Sequence, residues 1–423
     1  MKFTQLQPRL HENILKAIDA CKYIHPTPVQ IAAIPLILSG KDIVVSAPTG
    51  TGKTAAYVLP ALQLLANQQP TRKTRILILA PTRELATQIT QVINKYGKFM
   101  RVSVVSLIGG MAYLQQKKKL ASKVDIIVAT PGRLIDYMEN HRLDLSQIEL
   151  LVIDEADRML DMGFIKDIKK IVAVTAKTRQ TLLLSATASD VLMSIMQRLL
   201  KNPVRIDLAP EETTKPLIQQ ELYIADDNSH KKELLYHFLR NNNIFKAIIF
   251  SATKRNAKRL VDELGKDNYS VAALHGDLKQ SVRNRTLARF REGRIQFLIA
   301  TDVAARGIDV FDITHIINYD LPKFAEDYVH RIGRTGRAGK VGTAISLALT
   351  TDHKFLNSIE RYLNKKLPRM TINGLEPKEK PQHKERPQHS HATRSTIKKN
   401  SNRNYSKNKS KKRQPSPRKP RPT

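Results

Sequence analysis

The chain has no tryptophan, one cysteine and few aromatic residues, and no apolar run approaches the ~18 residues that cross a bilayer. With Cys21 alone, no internal disulfide framework is possible, which fits a compartment that keeps thiols reduced. The N-terminus has no apolar signal core, so the expectation is a soluble, cytoplasmic protein with no membrane partner. Acids are scarce too. Against 38 Asp and Glu stand 71 Lys and Arg, a net charge of +33. A surplus of that size implies a polyanionic partner. What the chain has in quantity is core material: 41% hydrophobic residues over 423 positions, enough for two or three domains.

Short apolar runs alternate with helical stretches through most of the length. The strand candidates of the first half are Ile43–Ser46, Arg75–Ala80, Val102–Leu107, Asp125–Ala129, Leu150–Ile153 and Thr181–Ser185. Those of the second half are Gln219–Ala225, Ala247–Ser251, Ser270–Leu274, Gln296–Ala300, Thr314–Asn318 and Thr343–Leu347. Such alternation implies βαβ units and parallel sheets, an α/β fold. Between the halves, residues 209–217 hold two prolines and no periodicity, as an interdomain linker would. From residue 367 the composition turns to Lys, Arg, Pro, Ser, Asn, Gln and His. From Lys366 onward, 18 Lys or Arg face 3 Glu, which is +15 of the total charge. Residues 367–423 therefore read as a disordered basic tail, because they cannot bury enough surface to offset the entropy of ordering.

Two runs carry chemistry. Ala47-Pro48-Thr49-Gly50-Thr51-Gly52-Lys53-Thr54 joins a strand candidate to a helical stretch. Gly50 and Gly52 let backbone N–H groups approach a phosphate at a helix N-terminus. Lys53 would reach the β- and γ-phosphates, the Thr54 hydroxyl would ligate Mg²⁺, and Thr49 and Thr51 complete the loop. The usual pattern opens with Gly; here that place is Ala47. The second run is a buried strand, Leu150–Ile153, ending in Asp154 and Glu155. Ligands bind beyond the carboxyl ends of parallel strands. Asp154 is suited to hold Mg²⁺ through water, and Glu155 to orient or deprotonate the attacking water. The two runs in this order describe an ATP-driven machine.

Asp154-Glu155-Ala156-Asp157 is the signature of the DEAD-box RNA helicases, and the sequence resembles that family from its N-terminus to about residue 365. Phe3, Tyr23, Thr27 and Gln30 resemble its adenine-reading Q motif, with Lys22 where the family often has Gly. Pro81, Thr82 and Arg83, then Gly109 and Gly110, then Thr130, Gly132 and Arg133 fall in motifs that resemble its first-domain RNA contacts. Ser185 and Thr187 resemble its coupling motif. The runs containing Ser251, Gln280 to Arg283, Thr301 to Asp309 and His330 to Arg337 resemble the second-domain set. The compact core and basic tail look most like the bacterial RhlE-type branch.

The resemblance implies two tandem RecA-like domains, residues 1–208 and 218–366, each a parallel sheet flanked by helices. It implies ATP and Mg²⁺ as cofactors and single-stranded RNA as partner. The amide of Gln30 can pair with adenine N6 and N7, and Phe3 would stack on the base. Arg334 and Arg337 would reach across the cleft to the γ-phosphate, where arginines stabilise developing charge. Gly307 and Asp309 would touch the nucleotide, Asp309 at the ribose. Ser185, Thr187 and His330 would couple the domains. The RNA set, completed by Arg283 and Thr301, offers hydroxyls, guanidiniums and bare backbone, which suit phosphates and 2′-hydroxyls better than base edges. Binding without sequence preference and local unwinding of short duplexes are the expected outcome. A clamp or ribonucleoprotein scaffold with little unwinding, and a DNA helicase, stay open as alternatives. Ribosome assembly and RNA decay are the settings the branch implies.

Overall fold

In a computed structural model, the chain is described for residues 2–48, 50–66, 73–141, 143–186, 192–194, 197–208, 218–240, 244–305, 310, 312–336 and 341–378. The first half forms a seven-stranded sheet from β1 (Ile43–Ser46), β2 (Ile76–Leu79), β3 (Val104–Leu107), β4 (Ile126–Ala129), β5 (Leu150–Ile153), β6 (Gln180–Ser185) and β7 (Val204–Asp207). Their order is β3-β4-β2-β5-β6-β1-β7, and every pairing is parallel. β2, β4 and β5 are buried at all four positions, which is why they read as unbroken apolar runs. Alternate residues serve opposite faces: Ile76, Ile78 and Val152 join one core, Leu77, Leu79 and Ile153 the other.

The second half repeats the plan with β8 (Ile218–Ala225), β9 (Ala247–Phe250), β10 (Val271–Leu274), β11 (Phe297–Ala300), β12 (His315–Asn318), β13 (Gly342–Leu349) and β14 (Arg369–Met370). Its order, β10-β11-β9-β12-β13-β8-β14, mirrors the first strand for strand. β8 occupies the place of β1, but Asp226-Asp227-Asn228 follows it instead of a glycine-rich loop. The expected strands are therefore present, and β7 and β14 are additions at the sheet edges. No helix among the described residues is long and apolar enough to cross a membrane. The linker read at 209–217 lies outside the described residues.

The expected start of the tail needs correction. Leu367 is buried, Pro368 O accepts the Leu222 N–H at 2.9 Å, and β14 pairs with β8. Ile372 and Leu375 pack on the core between the second sheet and its helices. Leu375 O contacts His230 Nε2 at 3.0 Å, and Lys378 N–H donates to Asp226 Oδ2 at 2.9 Å. Three apolar residues in a Lys- and Pro-rich stretch suffice to dock a short strap on a sheet edge. The rest of the expected tail, 379–423, lies outside the described residues.

Candidate active site

β5, β6 and β1 are neighbours, so their carboxyl ends bring Asp154, Ser185 and the Ala47–Thr54 loop together. Ala47 N–H donates to Ser185 O at 3.1 Å. The Ala47 methyl is buried in the core while its carbonyl accepts from Lys53 Nζ, so the missing glycine costs the loop nothing visible. Lys53 Nζ also donates to Pro48 O at 3.1 Å. Burial lowers the Lys53 pKa, and Asp154, Asp157 and Glu155 oppose that shift. Gly52 has φ +92°, and a Cβ there would meet Gln30 Nε2 at 2.6 Å. Only glycine allows both that backbone and that approach. Thr49 lies outside the described residues.

Asp154 is almost fully buried. Its Oδ2 accepts from Tyr57 Oη at 2.8 Å and its Oδ1 from the Glu155 N–H at 2.9 Å. Burial first, then the Glu155 charge, push its pKa up to about 6; Lys53 pulls the other way. Glu155 adopts a left-handed backbone, φ +52°, and pairs with the buried Arg158 guanidinium at 2.9 Å. Asp157 Oδ2 accepts the Ala186 N–H at 3.0 Å, which ties the acidic motif to the one after β6. Thr187 lies outside the described residues.

The Gln30 amide is fully buried and already engaged. Its Oε1 accepts the Thr27 N–H at 3.0 Å, and its Nε2 donates to Gly52 O at 3.2 Å. It thus braces the phosphate loop, with one amide proton and lone pairs left over. Phe3 is buried against Tyr23, ring centroids 6.0 Å apart, and Tyr23 is the more exposed of the two. In the second half, His330 and Arg334 line a small cleft with Phe250, Asp302 and Asp327. The turn carrying Arg334 is anchored by Arg331, which holds Asp302 through two bonds of 2.6 and 2.8 Å and Asn318 Oδ1 at 3.0 Å. Gly307, Asp309 and Arg337 lie outside the described residues.

Several of the residues expected at RNA meet along one seam. Thr82 caps the helix Arg83–Tyr96, its Oγ1 accepting the Leu85 N–H at 3.2 Å; Pro81 precedes it. The Arg83 guanidinium lies against Gly109 and Gly110, where any Cβ would collide with it. Thr130 opens the helix Pro131–His141, and a side chain at Gly132 would meet open space. Arg133 donates to Ile108 O at 3.2 Å and Met111 O at 3.1 Å, with Tyr113 under its guanidinium at 4.1 Å. Thr301 follows β11. Arg283, on the helix Gln280–Arg291, is buried and bonded to Glu84 at 2.7 Å. Gln280 bridges Glu84 and Arg83 at 3.2 and 3.3 Å. Both halves of the chain therefore contribute to this seam.

These motifs and this geometry agree with comparisons to known proteins. The family described as DEAD/DEAH box helicase matches residues 27–195, and helicase conserved C-terminal domain matches 230–339. The ATP-dependent RNA helicase SrmB of Haemophilus influenzae is 43% identical over 376 residues, 88% of this chain and 85% of that one. The chain belongs to the DEAD-box family of ATP-dependent RNA helicases. Among solved DEAD-box-like structures, Saccharomyces cerevisiae Dbp5 bound to RNA and ADP BeF3 matches with TM-score 0.77 and 33% identity, covering 87% of this chain and 95% of that one. Mss116p bound to single-stranded RNA and AMP-PNP matches with TM-score 0.79 and 28% identity, covering 89% and 81%. Glu84, Asp157, Arg158, Gln280 and Arg331 fall inside the motif runs, which gave them no individual roles; Tyr57 carried no signal beyond residue type.

Proposed function

We propose that the chain binds single-stranded RNA through its backbone, without sequence preference, and separates short duplexes as its two halves close on ATP. The observation that carries this reading is the double convergence. Nucleotide motifs share three adjacent strand ends, and RNA motifs of both halves share one seam through Arg83, Glu84, Gln280 and Arg283. Asp157 bonded to Ala186 ties the acidic motif to the motif read as coupling. Glu155 orients or deprotonates water, Lys53 leaves its loop carbonyls for the phosphates, and Arg334 and Arg337 complete the site from the second half. The spare proton and lone pairs of Gln30 serve adenine, which favours ATP over GTP.

Thr54 and Asp154 fit Mg²⁺: both offer oxygen, one neutral and one anionic, and Asp154 is held by the Tyr57 hydroxyl. When bound, Mg²⁺ neutralises charge on the phosphoryl oxygens. A first domain of residues 1–208 and a second from 218 through the docked strap at 378 leave 209–217 as the linker between them. The cytoplasm is the proposed location, with ribosomal precursors or RNA-decay substrates as targets. An RhlE-type placement rests on the compact core with its basic tail.

ATPase rates against added RNA and, separately, single-stranded DNA test the reading. Stimulation by RNA and not DNA is expected. Equal stimulation by DNA would make the chain a DNA motor, and RNA binding without stimulation would leave a clamp or scaffold. The tail gives a second prediction. Truncation after Lys378 should raise the RNA KM and flatten its salt dependence, by a log–log slope of roughly 0.7 for each lost phosphate contact, with kcat nearly kept. An unchanged KM at low and moderate salt would rule out an RNA tether. Truncation after Lys366 should also lower the melting temperature, because it strips β14 and uncovers the core under Ile372 and Leu375.

A further inference from the structure

We infer that Tyr57 is a positioning residue of the magnesium–nucleotide site, holding the Asp154 carboxylate in place. The inference rests on reading Asp154 as a ligand of the metal. Tyr57 lies one helical turn after Thr54 in the helix Lys53–Ala66, and its side chain is wholly buried. Its Oη donates to Asp154 Oδ2 at 2.8 Å, across 97 residues of sequence.

The direction of this bond follows from proton counting. An ionised carboxylate only accepts, so the single Tyr57 proton goes to Asp154. On the carboxylate, Oδ1 is fixed by the Glu155 N–H at 2.9 Å and Oδ2 by Tyr57, so neither oxygen can rotate freely. One phenol on a helix thus fixes the carboxylate of a strand end. Packing alone does not call for tyrosine here. A buried hydroxyl is unfavourable without partners, whereas phenylalanine would fill the same volume. The hydroxyl is explained by its bond to the proposed ligand Asp154.

The test compares the full chain with Tyr57→Phe, reading the binding of a non-hydrolysable fluorescent ATP analogue as Mg²⁺ is titrated. The half-saturating Mg²⁺ concentration is expected to rise about tenfold, the lower end of what losing an outer partner costs a metal site. Analogue binding without Mg²⁺ and the melting temperature should stay as in the parent, and kcat should recover at high Mg²⁺. Superimposable Mg²⁺ curves would overturn the assignment. So would a parallel loss of metal-free binding and thermal stability, which would mark Tyr57 as a packing residue. Asp154→Asn separates the two layers: if that variant keeps the parent's Mg²⁺ dependence, the ligand reading itself is wrong and the role of Tyr57 goes with it.

Discussion

Glu155→Gln is expected to lower RNA-stimulated ATP hydrolysis by about 10²–10⁴-fold, the usual loss for a positioned general base. That is about 3–5 kcal/mol of barrier. Nucleotide affinity should change little, since a group acting only on the attacking water contributes to the transition state and not to uniform binding. The geometry makes the substitution clean. Glu155 sits in a left-handed turn immediately after β5, a backbone that non-glycine residues keep mostly where function requires it. It pairs with Arg158, whose guanidinium is buried. A glutamine retains an oxygen for Arg158 and loses the charge and the proton-accepting capacity. It also removes the like charge that helps to raise the Asp154 pKa, so thermal stability should be equal or higher. Steady-state rates at saturating RNA, with a nucleotide titration alongside, decide the matter. A rate within about tenfold of the parent would move water activation to another residue.

Much of this site was legible in the sequence, and the reason is local. A phosphate loop needs its glycines, lysine and threonine within a few positions, and a central parallel strand needs an unbroken apolar run. Residues 43–54 and 150–155 satisfy both demands without reference to the rest of the chain. The edge strands β7 and β14 escaped notice because β7 alternates exposed and buried positions and β14 is two exposed residues. Side-chain partners escaped for a different reason. Tyr57 and Asp154 are 97 residues apart, and Glu84 and Arg283 are 199 apart. A motif shows that a residue stands near the chemistry; it does not say what the side chain holds. Arg133 shows the difference. It reads as a phosphate ligand, yet its donors hold Ile108 and Met111 carbonyls and so shape the loop of Gly109 and Gly110.

Arg283→Ala and Glu84→Ala are each expected to reduce RNA-stimulated ATPase by about 10²-fold or more. Losing one partner of a buried ion pair costs about 3–5 kcal/mol, and each 1.4 kcal/mol is about tenfold. Both side chains are under a tenth exposed, so solvent screening does little to soften this. The pair joins the first turn of the helix Arg83–Tyr96 to the helix Gln280–Arg291, one from each half of the chain. Breaking it should act on closure and leave the folding of each half intact. The melting temperature without ligands should then move little while coupling between RNA and ATP collapses. If Arg283 works through Glu84, the double variant is no worse than the worse single one, because both lose the same interaction. A guanidinium that binds RNA phosphate directly gives the opposite pattern. Glu84→Gln would then free Arg283 and tighten RNA binding, and Arg283→Ala would flatten the salt slope by roughly 0.7. The structure favours the first outcome. Arg283 spends its donors on Glu84 and on the carbonyls of His275 and Ala304, at 3.3 and 3.2 Å, in a position water scarcely reaches. An RNA phosphate would have to displace a carboxylate already bonded to Gln280 as well. Arg83, only partly buried over the two glycines, is the better-placed cation on this seam for the RNA backbone.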